Sequence, residues 1–205
     1  MRQVSKTLVR LNVETRCFHA AADAPWLDLV APGRTVTQLD YVAQLVLAYG
    51  FDAPLEAALA YTPHLEAFVD LHPRFRCGLL AQDLLALGLS PGQVAALRQC
   101  MIAPFASVAE ALGWLYVHER STLLHEGVAC ELESQHPVLV RATSALRAHE
   151  GRVGGLWDDF GQALDRVART SHIEDRVVAA ALDAFRTLRV WQRRTEAMAP
   201  LSRTS

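Results

Sequence analysis

Apolar residues in this chain recur at intervals of three and four behind repeated helix-start signals, and no feature of the sequence constrains the fold more. Ser90-Pro91-Gly92-Gln93 joins a Ser N-cap to a Pro at the first helical position and a Gln three residues on. Ser107 with Glu110 and Ser171 with Glu174 repeat the capping-box spacing, and Thr37 with Asp40 is a weaker fourth case. Downstream, Leu45 and Tyr49, then Val108, Leu112 and Leu115, then Trp157, Phe160 and Leu164 keep helical spacing. No segment alternates with period two long enough to make a strand. The expected class is all-α, with helices near 4–24, 37–62, 76–87, 91–101, 107–129, 137–149, 154–169 and 173–198. Pro54, just after Gly50-Phe51, is expected to kink or interrupt the second of these.

A length of 205 residues without a linker-like stretch suits one domain, here 1–198, followed by a frayed tail over 199–205. The apolar runs are broken by charge, Gly or Pro before the roughly 20 residues of a membrane span, so no membrane partner is expected. The N-terminus has basic residues but no apolar core or small-residue cleavage site, which points to the cytoplasm. The 20 basic residues are scattered and the net charge is −2, leaving no electrostatic footprint for nucleic acid. Cys17, Cys77, Cys100 and Cys130 form no C-x-x-C pair and are expected as small apolar core residues.

One segment carries a candidate chemistry. Arg16, His19 and Asp23 lie three and four apart, on one face of a helix. An imidazole that donates its other N–H to a carboxylate is held in one tautomer and becomes a better metal ligand, while a guanidinium one turn away can meet an anion. The same trio also reads as a surface His beside a helix salt bridge. His118-Glu119 begins like the zinc-protease H-E-x-x-H motif, but Thr122 stands where the second His is required. His118 and His125 would lie roughly 10 Å apart along a helix, too far to share one ion. Glu133 and His136 have the E-x-x-H spacing of di-iron bundles, but once where such sites need it twice.

The stretch from Leu11 to Asp23 resembles the proximal helix of the heme oxygenase family. Further segments continue the likeness in order: Tyr49-Gly50-Phe51 and Pro54-Leu55-Glu56, then Arg76 with Leu79, Leu80 and Asp83, then the run 111–117, then Trp157, Phe160, Phe185 and Trp191. The resemblance implies a heme oxygenase-like multi-helical bundle. It implies His19 as the axial ligand of heme iron, Thr15 and Arg16 on the preceding turn, and Asp23 as the carboxylate behind the ligand. Arg16 and Arg186 are the basic groups expected to meet the heme propionates. An active member would cleave heme to biliverdin, iron and carbon monoxide with an external electron donor.

The distal segment breaks the pattern. Where bacterial members carry Leu-Glu-Gly-Ser-Thr-Leu-Gly-Gly, this chain reads His118-Glu119-Arg120-Ser121-Thr122-Leu123-Leu124-His125, so three glycines have become Arg120, Leu124 and His125. Glycine lets backbone approach a ligand face closely, and side chains at those places fill the space oxygen would use. Arg120, Ser121, Leu124 and His125 are therefore the distal candidates, with His125 placed either toward iron as a sixth ligand or elsewhere. Two readings follow: a heme-cleaving enzyme, or a module that holds heme, a linear tetrapyrrole or another ligand without degrading it. A non-heme metal protein on the same scaffold is a third.

Overall fold

The computed structural model describes residues 4–196, so the tail over 199–205 lies outside the described residues. Ten α-helices follow one another without a strand among those residues: α1 Lys6–Glu14, α2 Arg16–Leu29, α3 Gln38–Ala60, α4 Cys77–Ala86, α5 Pro91–Ala95, α6 Val108–Ser121, α7 His125–Gln135, α8 Ser144–Arg147, α9 Val153–Val167 and α10 Ser171–Glu196. The capping boxes at Thr37 and Ser90 form as their spacing predicts, each with its reciprocal side-chain bond. At Ser107 the hydroxyl caps Glu110, whose carboxylate reaches the Ala106 N–H instead. Ser171 is itself helical, and Thr170 stands at the cap, its hydroxyl accepting from the Ile173 N–H.

Several boundaries differ from the sequence reading. The first expected helix breaks at Thr15, where φ −96° and ψ −2° end α1, and α2 then runs on past Pro25 to Leu29. The second survives Pro54 as one continuous helix. The fifth breaks at a 3₁₀ turn, Thr122–Leu124, which separates α6 from α7. The fourth shortens to Pro91–Ala95, and the sixth divides into a 3₁₀ turn, Pro137–Ala142, and α8. The cysteines are a further correction: Cys17 and Cys130 are exposed and the other two only half-buried. Helix α3 is long and apolar enough to cross a membrane by composition, but it sits within the fold, with Tyr41, Leu45, Phe51, Leu55 and Leu59 buried.

Two apolar clusters make up the interior. One gathers Leu11, Phe51, Leu55, Leu112, Leu115, Tyr116, Phe160, Val177 and Phe185 from α1, α3, α6, α9 and α10. The other gathers Trp26, Tyr41, Leu45, Leu80, Leu84, Val128 and Leu132 from α2, α3, α4 and α7. Buried carboxylates fasten helix starts across the fold. Glu56 of α3 accepts from the Arg76 and Cys77 N–H groups at 2.7 and 3.0 Å, and Asp83 of α4 accepts from Ser144 and Ala145 at 3.0 and 2.8 Å. Each satisfies main-chain donors that have no partner within their own helix.

Gly113 of α6 packs directly against the α10 backbone. A Cβ there would lie 2.5 Å from the Val177 carbonyl oxygen and 2.6 Å from the Ala180 Cβ. Backbone cannot yield as a flexible side chain can, so Gly113→Ala is expected to cost about 1–3 kcal/mol by overpacking. Thermal unfolding should show a lower Tm, and an unchanged Tm would mean that the two helices can slide apart freely.

Candidate functional site

Helices α2 and α6 face each other and are joined by two polar contacts one turn apart. At the first, the Thr15 hydroxyl donates to the Leu11 carbonyl at 2.7 Å, and the His19 Nε2 lies 2.9 Å from the same oxygen. The single Thr15 hydroxyl proton has Leu11, Tyr116 and His19 within reach, so which of Thr15 and His19 donates in their contact follows the imidazole tautomer. Tyr116 of α6 brings its hydroxyl to 3.3 Å from Thr15 and 3.5 Å from His19 Nε2. Phe185 of α10 packs on the imidazole with ring centroids 5.7 Å apart. Burial, followed by the positive charges of Arg120 and Arg16, lowers the His19 pKa against the opposing pull of Asp23, which keeps the ring neutral at pH 7.

The second contact is an ion pair. Arg120 of α6 donates from both terminal nitrogens to the two carboxylate oxygens of Asp23 of α2, at 2.6 and 2.7 Å. This fork-to-fork geometry is the strong form of an Arg–carboxylate bond. Both side chains are largely buried, 14% and 12% exposed. Asp23 therefore serves Arg120, and the His19 ring takes its hydrogen bond from the Thr15–Tyr116 side.

Beyond the pair lies a partly open cleft of about 50 Å³ where the two apolar clusters meet. Its walls draw Trp26 from α2, Leu47 and Phe51 from α3, Val117 from α6 and Phe185 from α10. Asp23 and Arg120 line it, whereas His19 does not. One wall is charged. Arg76, just before α4, donates through Nε to Asp52 at 2.8 Å and through a terminal nitrogen to Ser121 Oγ at 2.7 Å. His118, fully buried, donates from Nε2 to the Arg74 carbonyl at 3.0 Å and holds Nδ1 3.4 Å from Asp52. Burial pushes the Asp52 carboxyl up, but the charges of Arg76 and His118 outweigh it and hold it well below the usual carboxylate range. For His118, burial and Arg76 lower the pKa, and Asp52 and Glu56 reverse the balance and raise it.

The remaining candidates are dispersed. Ser121 belongs to the cleft wall. Leu124 packs, half-buried, against the cluster around α4 and α7 and does not line the cleft. His125 is buried, with its ring edge-on to Trp26 at 5.4 Å and neither nitrogen hydrogen-bonded. Arg16 is exposed on α2. Arg186 is 62% exposed and pairs with Asp183 one turn back. Glu133 gives its carboxylate to Arg147 and Thr143, and among the described residues no group of three His, Cys, Asp or Glu could hold a metal ion. Sequence reasoning missed Asp52, His118 and Tyr116 as site residues. The available signal was Asp52 and Glu56 four apart on an otherwise apolar helix, a spacing that calls for buried partners.

The buried histidines set a pH dependence. Burial drives His125 well below its ordinary pKa, and burial with the charges of Arg76 and His118 lowers His149 to about 4. A depressed folded pKa means that the unfolded chain binds more protons between that value and 6.5, so stability falls as pH drops through this window. His118 acts oppositely, its contribution being lost as pH rises through its raised pKa. His125→Leu removes two unpartnered buried nitrogens and is expected to stabilise the fold by about 1–3 kcal/mol at pH 7 and more at pH 5. Unfolding measured at both pH values checks this, and a variant less stable than wild type at both would contradict it.

The Heme oxygenase family model matches residues 5–194. No curated protein matches the sequence. The NO- and CO-bound heme oxygenase from Neisseria meningitidis is similar in structure, with a TM-score of 0.71 and 22% identity over 96% of this chain and 94% of that one. At that identity the structural likeness shows the fold alone, but the family model spans almost every described residue. This chain belongs to the heme oxygenase family.

Proposed function

We propose that this chain is a binding member of the family that does not cleave heme. The Arg120–Asp23 pair carries this reading. The resemblance places heme between the helix bearing His19 and the distal helix, which here are α2 and α6, and a macrocycle there would occupy the space that the two side chains cross. The Nε2 of His19, the nitrogen an axial ligand would use, is engaged with Thr15 at 2.9 Å. The residues as they stand therefore do not fit heme. A protein that oxidises heme must bring oxygen to one face of the ring while holding the other, and the Arg120–Asp23 pair stands between the two helices that would do so.

The second reading, a module that holds its ligand unchanged, is supported by what lies beside the closed slot. The cleft has a mostly apolar wall and one polar side around about 50 Å³ of space. His19 becomes the group placed to take iron only when Arg120 leaves Asp23, and an external electron donor belongs to the heme-cleaving reading alone. Hemin and a reductant mixed with the protein in air test the proposal. The expected result is no biliverdin absorption while an active heme oxygenase run in parallel produces it, and stoichiometric biliverdin from this chain would refute the reading.

A further inference from the structure

Behind one wall of the cleft sits a histidine with no polar partner. His125, the first residue of α7, is 3% exposed, and among the described residues neither ring nitrogen has a hydrogen bond. Its ring lies edge-on to Trp26 at 5.4 Å. His125 does not line the cleft, whereas Trp26 does, buried and three residues along α2 from Asp23. A neutral imidazole can hold that place as a packed aromatic ring. An imidazolium cannot, because an unpaired buried charge costs far more than an unpaired buried dipole.

The charged groups around His125 decide how a proton there is met. Those that face it are Arg76 before α4, Asp52 of α3, His118 of α6 and His149 after α8, and three of the four carry or take positive charge. Asp52, the one carboxylate, already accepts from Arg76 Nε at 2.8 Å and stands 3.4 Å from His118 Nδ1. On α2, Asp23 is committed to Arg120, and at the far end of α7 Glu133 is committed to Arg147. A protonated His125 finds no free anion inside and has to move toward water.

The way out is short and hinged. The 3₁₀ turn Thr122–Leu124 immediately precedes His125, and such a turn within a helical stretch marks a hinge. The Ser121 and Thr122 hydroxyls donate to the His118 and Glu119 carbonyls, each at 2.7 Å, in local bonds that compete with regular helix. Leu123 is 49% exposed, and Glu126 and Gly127 also face solvent. On the other side of the contact, Pro25 has no N–H to offer the Ala21 carbonyl, so α2 is weakened beside Trp26.

We propose that acid opens the cleft: a proton taken from solvent by His125 turns its ring outward about the 3₁₀ turn, and Trp26, left without that support, withdraws from the cleft wall. This names a regulation of the site in the binding-module reading and rests on that reading. No ligand enters its test, so the two can fail separately.

The full chain labelled with 5-fluorotryptophan carries four reporters, at positions 26, 114, 157 and 191. Trp26→Phe assigns the signal of Trp26. Between pH 7.5 and pH 4.5 that signal should move to a solvent-exposed position in a one-proton transition, while the other three hold theirs. Its midpoint should coincide with the titration of the His125 ring C–H. Amide exchange over 122–128, corrected for the intrinsic effect of pH, should accelerate at least ten-fold at the acid end. His125→Leu should abolish both changes, and His149→Gln should keep them. If His125→Leu fails to fold, the wild-type signals still decide. Four tryptophan signals moving together would mean global unfolding and overturn the proposal. So would a Trp26 signal that stays fixed while His125 titrates, one that moves unchanged in His125→Leu, or a His125 that takes up no proton above pH 4.5.

Discussion

Arg120→Gly is expected to bind hemin about 10- to 100-fold more tightly than the wild-type chain. The closed state is held by a bidentate, charge-assisted bond between largely buried groups. Hydrogen bonds to charged groups contribute about 1.5–3 kcal/mol. Opening is therefore an unfavourable step of that order before any ligand enters, and the apparent affinity is reduced by the fraction of molecules that are open. Glycine removes both the bond and the bulk. Arg120→Met keeps much of the volume and loses the charge, so it should fall between the two and separate electrostatics from packing. The gain should disappear in Arg120→Gly/His19→Ala if His19 is the group exposed by opening. Leu124→Gly should leave hemin affinity within about two-fold, because Leu124 packs away from the cleft, while destabilising its segment by about 1 kcal/mol. An Arg120→Gly variant with wild-type hemin affinity would show that the ion pair does not control entry.

The largest expected loss of stability follows from Arg74→Ala. Arg74 is 2% exposed and bridges three parts of the fold: it donates to the Asp70 carbonyl at 2.9 Å and the Leu156 carbonyl at 3.1 Å, and it faces Glu119 of α6 at 2.8 Å. Removing it strands a carboxylate that is itself 3% exposed. Breaking a buried pair from one side costs about 3–5 kcal/mol, and for a domain of this size each kcal/mol lowers Tm by roughly 2–4 °C. Replacing both partners, as Arg74→Met with Glu119→Leu, should recover most of the loss, because no buried charge then lacks its partner. Thermal or urea unfolding of the single and double variants is the check. A double variant as unstable as Arg74→Ala would mean that the pair shapes the α6 environment beyond its own charge balance.

Local signals carried the helices well and their interruptions poorly. The capping boxes at Thr37 and Ser90 were readable because their partners lie three residues away. The breaks at Thr15 and over 122–124 were not. A Thr hydroxyl bonding its own Leu11 carbonyl and a 3₁₀ turn in mid-segment answer to packing between distant helices, which periodicity does not record. Pro54 misled in the opposite sense, since burial of α3 on both sides of it keeps the helix continuous.

The same division holds at the site. His19, Asp23 and Arg120 were each identified from the chain, the last because a glycine was missing where the family has one. Their connection was not readable. Arg16, His19 and Asp23 share a helix, so local spacing suggested a partnership among them, whereas Asp23 takes its partner from 97 residues away. Leu124 and His125 stand at equally altered positions, but the 3₁₀ turn rotates them toward α2 and α4 packing and leaves Arg120 alone to cross the slot.

The closure of that slot is tested most directly by titrating hemin into the wild-type chain and into His19→Ala, following the Soret band. With Arg120 on Asp23 and His19 Nε2 held against Thr15, the two proteins should give the same weak, non-saturating spectrum at stoichiometric hemin. A sharp, saturating His-ligated spectrum in wild type that is lost in His19→Ala would contradict the closed slot and restore the heme-binding site.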